Sequence, residues 1–131
     1  MTYPLAPVSR TIPPATRERL AKLLAEYRRK PDALLTALYL VQAECNCLSD
    51  EVLTELAAIL EMPKSVIYEV TTFYALYSTR PQGTNIIMVC QNLCCFLRGT
   101  DELIMAFARE LGIQPGETTP DGKFTLRPVE C

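Results

Sequence analysis

The sequence predicts an α+β / α/β fold, with an N-terminal helical bundle followed by a β-loop-α-β half-domain. Three observations carry this reading. Apolar residues recur at helical spacing from Leu20 to Tyr77. From Thr84 onward the pattern changes to two short β-prone runs, over residues 85–89 and 124–129, with one amphipathic helix between them. Pro81 and Gly83 punctuate the chain where the pattern changes. The expected division is an extended tail over residues 1–14, a helical lobe of about four helices over 15–80, and a β-containing domain over 84–131.

Residues 1–14 contain four prolines and no helical period, so they read as an extended, mobile tail or an arm on a partner. Thr16 is placed to cap a first helix with Leu20, Leu23, Leu24 and Tyr27 on one face. Arg28, Arg29 and Lys30 fall in its last turn, where they suit the helix dipole, and Pro31 stops it. A second helix puts Leu34, Ala37, Leu38, Val41 and Cys45 on one stripe; Leu35, Tyr39 and Leu40 add apolar surface elsewhere, as at a bundle centre. Cys45 and Cys47 close it and read as small packing residues. Ser49 caps a third helix, with Asp50 and Glu51 in its first turn and Leu53, Leu56, Ala57 and Leu60 buried. A fourth helix carries Val66, Val70, Phe73 and Tyr77 toward the core; its β-branched content makes it depend on packing.

In the second half, residues 85–89 are apolar and β-branched, as in a buried strand. Thr100 is placed to cap the next helix, with Leu103, Phe107 and Leu111 on one face and Gly112 just past its end. Pro115-Gly116 and Pro120-Asp121-Gly122 are turns. Pro128 confines the second strand to an edge or its own end.

Composition narrows the chemistry. With 131 residues and 49% hydrophobic content the chain can build a core. A net charge of −2 gives no footprint for nucleic acid, which needs clustered Lys and Arg. No apolar run approaches the roughly 20 residues that span a bilayer, and the N-terminus does not read as a signal peptide. The expectation is a cytoplasmic protein without direct membrane insertion. In that reducing compartment six cysteines point to metal or redox chemistry before disulfides. The absence of histidine excludes a Ser-His or Cys-His hydrolase within the chain and confines any metal to sulfur or carboxylate ligands.

Three thiols stand at strand ends and loop starts. Cys90 ends the first strand, Cys95 follows five residues later, and Cys131 ends the second β-prone run. Thiolates at such positions suit an iron–sulfur cluster or zinc, and the spacing alone does not choose. A thioredoxin-type dithiol would need two residues between its cysteines, and no pair here has that spacing.

Four runs decide further: Val66-Ile67-Tyr68-Glu69-Val70-Thr71-Thr72-Phe73-Tyr74, Pro81-Gln82-Gly83, Val89-Cys90-Gln91-Asn92-Leu93-Cys94-Cys95, and the long run from Leu111 to Cys131. With these the chain resembles the 24-kDa-type [2Fe-2S] subunit family of respiratory complex I, the thioredoxin-like ferredoxins shared with NAD-linked hydrogenases and formate dehydrogenases. The resemblance covers roughly residues 16–131. It implies a thioredoxin-like domain over 84–131 with one [2Fe-2S] cluster on Cys90, Cys95 and Cys131, and a bystander role for Cys94. In the family a fourth ligand lies four residues further on, so the half-domain reads as truncated at its C-terminus and one ligand short.

The function the resemblance implies is electron transfer in the NADH-dehydrogenase module of an NADH:quinone oxidoreductase (complex I). The partners are an FMN- and NADH-binding flavoprotein subunit, which holds the FMN and NAD, and other subunits of the complex. The chain would be part of an oxidoreductase with no catalytic acid or base of its own, peripheral to the inner membrane through the complex. Two alternatives stand beside it: a cluster-less structural or assembly subunit, and the equivalent subunit of an NAD-linked hydrogenase or formate dehydrogenase. A zinc or dithiol module is a third.

Overall fold

The computed structural model describes residues 8–131; of the extended tail expected over residues 1–14, residues 1–7 lie outside them. The chain forms two compact units that meet in sequence at Pro81 and Gln82.

The first unit is helical. Helix α1 spans Pro14–Ala25 and opens on Pro14, whose missing N–H and fixed φ suit a first turn. Thr16 therefore lies inside the helix, buried, and does not cap it. The helix also ends before the basic run: Arg29 is extended and Lys30 opens a 3₁₀ turn, Lys30–Ala33. Ile12, expected in the tail, is buried in the core, and its N–H donates to Glu55 Oε2 at 2.9 Å.

Helix α2, Leu34–Cys45, buries Leu34, Ala37, Leu38, Val41 and Cys45. Leu35 and Tyr39 are exposed, so the helix is one-sided rather than central. Ser49 accepts the Val52 N–H at the start of α3, Asp50–Leu60. That helix buries Val52, Leu53, Leu56, Ala57 and Leu60. Glu61, in the left-handed region, closes it. In α4, Lys64–Phe73, the buried residues are Ile67 and Thr71, while Val66 and Phe73 are exposed. The expected stripe is thus one residue out of phase. β-branched residues on both sides left the apolar period ambiguous, and packing chose the face. Tyr77 lies beyond the helix, buried, and its hydroxyl donates to the Leu35 carbonyl at 2.8 Å. Gln42 fixes the same turn by donating to Leu76 O and accepting from Ser78 N. Each leucine buried in this core contributes about 1.5–3 kcal/mol of hydrophobic stabilisation.

The second unit is built on two parallel strands. β1, Asn85–Cys90, pairs with β2, Phe124–Val129, from Asn85↔Phe124 to Cys90↔Val129. Parallel strands need a long crossover. It contains a short helix α5, Leu93–Phe96, and then α6, Thr100–Leu111. Helix α6 packs on both strands through Ile104 and Ala108. Leu103 is exposed, and Phe107 and Leu111 are only half-buried, so this stripe too is rotated by one residue from the expected one. Gly112, at φ 66°, ends the helix as expected.

Residues 116–119 run antiparallel along the other side of β2, through a Thr118–Thr125 bridge and a Gly116 N–H to Leu126 O bond of 2.8 Å. The edge of β2 away from β1 is therefore partly covered. β1 is less buried than expected. Val89 is its one fully buried residue, and Met88 is 59% exposed, because helix α6 covers a single face of the pair.

Candidate metal centre

In a parallel pair both strands end at the same edge, and loops beyond that edge are the usual place for ligands in α/β units. Here that geometry brings distant cysteines together. Cys90 is the last residue of β1, and Cys131 lies two residues past the end of β2. Their sulfurs are 2.9 Å apart although 41 positions separate them in the chain. The ladder continues one step beyond β1, where Gln91 N–H donates to Val129 O at 2.8 Å, and this fixes the register of the two ends.

The third thiol arrives through α5. Asn92 is its N-cap, and the Asn92 side chain accepts the Leu93 N–H at 2.7 Å. The Phe96 N–H returns to Asn92 O at 2.8 Å, closing the turn that carries Cys94 and Cys95. Cys95 is half-buried and Cys94 exposed. The Asn92 N–H also points at Cys90 Sγ, at 3.4 Å. On the other side of Cys90, the buried Thr100 hydroxyl donates to the Cys90 carbonyl at 2.9 Å.

The thiols act on one another. The Cys90 thiol is lowered to about 7, chiefly because Cys131 hydrogen-bonds to its sulfur, with the Asn92 N–H next and Cys95 adding a further hydrogen bond. Cys131 and Cys95 are raised by the same hydrogen bonds, since each holds its proton against a charged neighbour. Cys94 contributes only charge repulsion on Cys95. The resulting arrangement is one favoured thiolate between two proton-bearing thiols.

Soft thiolates are the donor class that iron–sulfur clusters and zinc take. Among the described residues no group of three or more His, Cys, Asp or Glu is already spread to hold an ion. The Cys90 and Cys131 sulfurs stand closer than a shared metal ion would hold them. Two sulfurs at about 2.3 Å from one tetrahedral metal lie roughly 3.8 Å apart, so the pair must open by about 1 Å to bind. Donor chemistry therefore fits a sulfur-bound group.

Beside the cysteines lies an open hollow of about 790 Å³, lined by Met88, Val89, Leu103, Phe107 and Arg98 together with Cys90, Cys94 and Cys95. Cys45 and Cys47 are buried in the helical unit, where burial raises both thiols, Cys45 to about 11. They are packing residues, as expected. Two residues of the site escaped the sequence reading. Asn92 just ahead of a short helix is a readable cap signal. Thr100, expected to cap α6, lies one residue inside it: Gly99 occupies the cap position and the Thr100 hydroxyl goes to Cys90.

Residues 20–131 match the thioredoxin-like [2Fe-2S] ferredoxin family. The chain belongs to this family. It is 41% identical over 115 residues to an NADH-quinone oxidoreductase subunit of Rhizobium meliloti (strain 1021), covering 88% of this chain and 68% of that protein. Identity to an NADH-quinone oxidoreductase subunit of Buchnera aphidicola subsp. Baizongia pistaciae (strain Bp) is 37% over 109 residues, 83% of this chain and 64% of the relative. It is also 30% identical over 125 residues to an NADP-reducing hydrogenase subunit of Solidesulfovibrio fructosivorans, covering 95% and 73%. The chain thus spans about two thirds of the length of these relatives. The expected resemblance is borne out, and the relatives named are subunits of oxidoreductases. Among the described residues no helix is long and apolar enough to cross a membrane.

Proposed function

We propose that this chain is the [2Fe-2S] electron-transfer subunit of the NADH-dehydrogenase module of an NADH:quinone oxidoreductase, with Cys90, Cys95 and Cys131 as three of the four thiolate ligands. The carrying observation is the convergence of these thiols at the carboxyl edge of the parallel pair, where Cys90 and Cys131 approach to 2.9 Å. Membership of a [2Fe-2S] family supports the identity of the group. When bound, the cluster supplies one-electron transfer, and the partner reading is exchange with the FMN of an NADH-binding flavoprotein subunit.

The chain's own residues do the rest. Cys90 offers a thiolate near neutral pH without an external base. The Asn92 N–H donates to its sulfur and offsets negative charge there, which favours reduction. Thr100 holds the Cys90 backbone, so sulfur and N–H keep their aim. Cys94 is left outside the ligand set. In the helical unit the exposed Phe73, Tyr68 and Leu76 form apolar surface suited to other subunits of the complex. The complex would sit on the cytoplasmic face, peripheral to the membrane.

The higher identity to the quinone-oxidoreductase subunits, 41% against 30%, favours that complex over the hydrogenase. The test is iron and acid-labile sulfide quantitation on the chain isolated in its complex. The expected result is two of each per chain, with visible absorption that bleaches on reduction. A colourless complex without iron overturns the reading in favour of a cluster-less structural subunit. Stoichiometric zinc without sulfide overturns it in favour of a zinc module.

A further inference from the structure

We propose that the metal-free chain carries an oxidisable dithiol, Cys90 with Cys131, that closes to a disulfide joining the ends of the two parallel strands.

The geometry comes first. The two sulfurs already stand at 2.9 Å, so about 0.9 Å of approach separates them from the ~2.0 Å of a disulfide bond. The 41-position loop between them is already closed by the β1–β2 ladder, which runs to Cys90↔Val129 and one hydrogen bond beyond. The entropic cost of bringing the ends together is therefore met by folding rather than by the reaction. Cys131 is exposed beyond the last paired residue, so it can make the remaining approach without disturbing the strands.

Two other pairs of thiols are disfavoured. Cys94 and Cys95 are chain neighbours in a helical turn held by the Phe96 N–H to Asn92 O bond. A bond between adjacent cysteines would strain that turn. Cys45 and Cys47 are buried, out of reach of a soluble oxidant.

The oxidant class is a low-molecular-weight disulfide, with oxidised glutathione as the probe. One protein thiolate attacks a glutathione sulfur, forming a mixed disulfide and releasing one glutathione thiolate. The second protein sulfur then attacks the protein-side sulfur of that mixed disulfide and releases the other glutathione. Two protein thiols lose two electrons and two protons, and one glutathione disulfide gains them as two molecules of reduced glutathione. The reaction reverses in a reducing buffer. The disulfide consumes two sulfurs that the proposed cluster would use, so the oxidised chain cannot be loaded until it is reduced. That consequence alone rests on the cluster reading.

The test uses the full chain, freed of metal and fully reduced, then equilibrated anaerobically with oxidised glutathione. After an acid quench, free thiols are alkylated and the peptides mapped by mass. The expected product has lost two hydrogens and links the Cys90 peptide to the Cys131 peptide. C94S gives the same link, and C131S stops at mixed disulfides with glutathione. A Cys90–Cys95 link, a Cys94–Cys95 link, or recovery of all thiols in the reduced state overturns the proposal. So does an unchanged pattern of links when the reaction is repeated in denaturing urea, because pairing would then owe nothing to the fold. Iron and sulfide are then offered to the oxidised and re-reduced chains. Uptake by the re-reduced chain alone is the expected result, and equal uptake by both overturns the block on loading. Uptake by neither, with the Cys90–Cys131 link already mapped, overturns the cluster reading and leaves the dithiol standing.

Discussion

Replacing Gly83 by alanine puts two opposed effects in competition. Gly83 sits just ahead of β1, and its N–H donates to Thr125 Oγ1 at 2.7 Å. A Cβ built there meets Phe124 N at 2.9 Å and Lys123 C and Phe124 C at 3.0 Å, all of them backbone. Ordinary contact begins near 3.4 Å, so about 0.5 Å of movement is required of the start of β2. That backbone is itself tied to β1 by Thr84 N–H to Gly122 O and Asn85 N–H to Lys123 O, so it cannot move freely. Alanine would gain about 0.4–1 kcal/mol by restricting the unfolded chain. Overpacking against a fixed neighbour costs about 1–3 kcal/mol. The clash wins, with a net loss of about 1–2 kcal/mol in the β unit. Amide hydrogen exchange reads this unit directly, and the Gln91 N–H bonded to Val129 O reports the far end of the ladder. Its exchange is expected to accelerate roughly 5–30-fold. Unchanged or slower exchange would mean instead that the strand yields to the added methyl without cost.

Three further predictions concern the thiols. Cys95→Ser is expected to remove or shift the cluster's electron paramagnetic resonance signal while Cys94→Ser leaves it intact; equal effects would sink the ligand register. Thr100→Val removes the hydroxyl that holds the Cys90 carbonyl at 2.9 Å. It should cost about 0.5–1.5 kcal/mol and move the reduction potential, with Thr100→Ser restoring both. A potential indifferent to Val would deny Thr100 any part in positioning Cys90. Burial raises the Cys45 thiol from 9.0 to about 11. At Cys45 the unfolded chain ionises first, so this thiol's contribution to stability is constant below about pH 9 and is lost between about pH 9 and 11. Urea midpoints across that range check the slope, which Cys45→Ala should reduce, leaving the part that belongs to the buried Cys47.

Much of the architecture was legible because local physics specifies it. The β-branched run before Cys90 and the run from Phe124 formed strands where propensity and flanking turns required. Ser49 capped α3, and Gly112 ended α6 in the left-handed region, since these depend on neighbours a few residues away. The stripe of α2 from Leu34 to Cys45 was buried as its period indicated. Phase failed where apolar residues lay on two faces: Ile67 rather than Val66 in α4, and Ile104 rather than Leu103 in α6. A helical period defines a stripe, and only the neighbouring element selects among adjacent stripes.

Composition and periodicity were enough to separate two parts of the chain, to confine any metal to sulfur or carboxylate ligands, and to place Cys90 and Cys95 at the two ends of one short segment. Cys131 stood out at the end of the second β-prone run, and the family resemblance implied that it joins them as a ligand. Tertiary structure decided how the three meet. Parallel pairing of β1 and β2 sets both strand ends at one edge, which brings Cys131 to 2.9 Å from Cys90 across 41 positions. It also turned the Thr100 hydroxyl from a helix cap into the support of the Cys90 carbonyl. Neither arrangement is written in local propensity, because each depends on contacts made only after distant segments have packed.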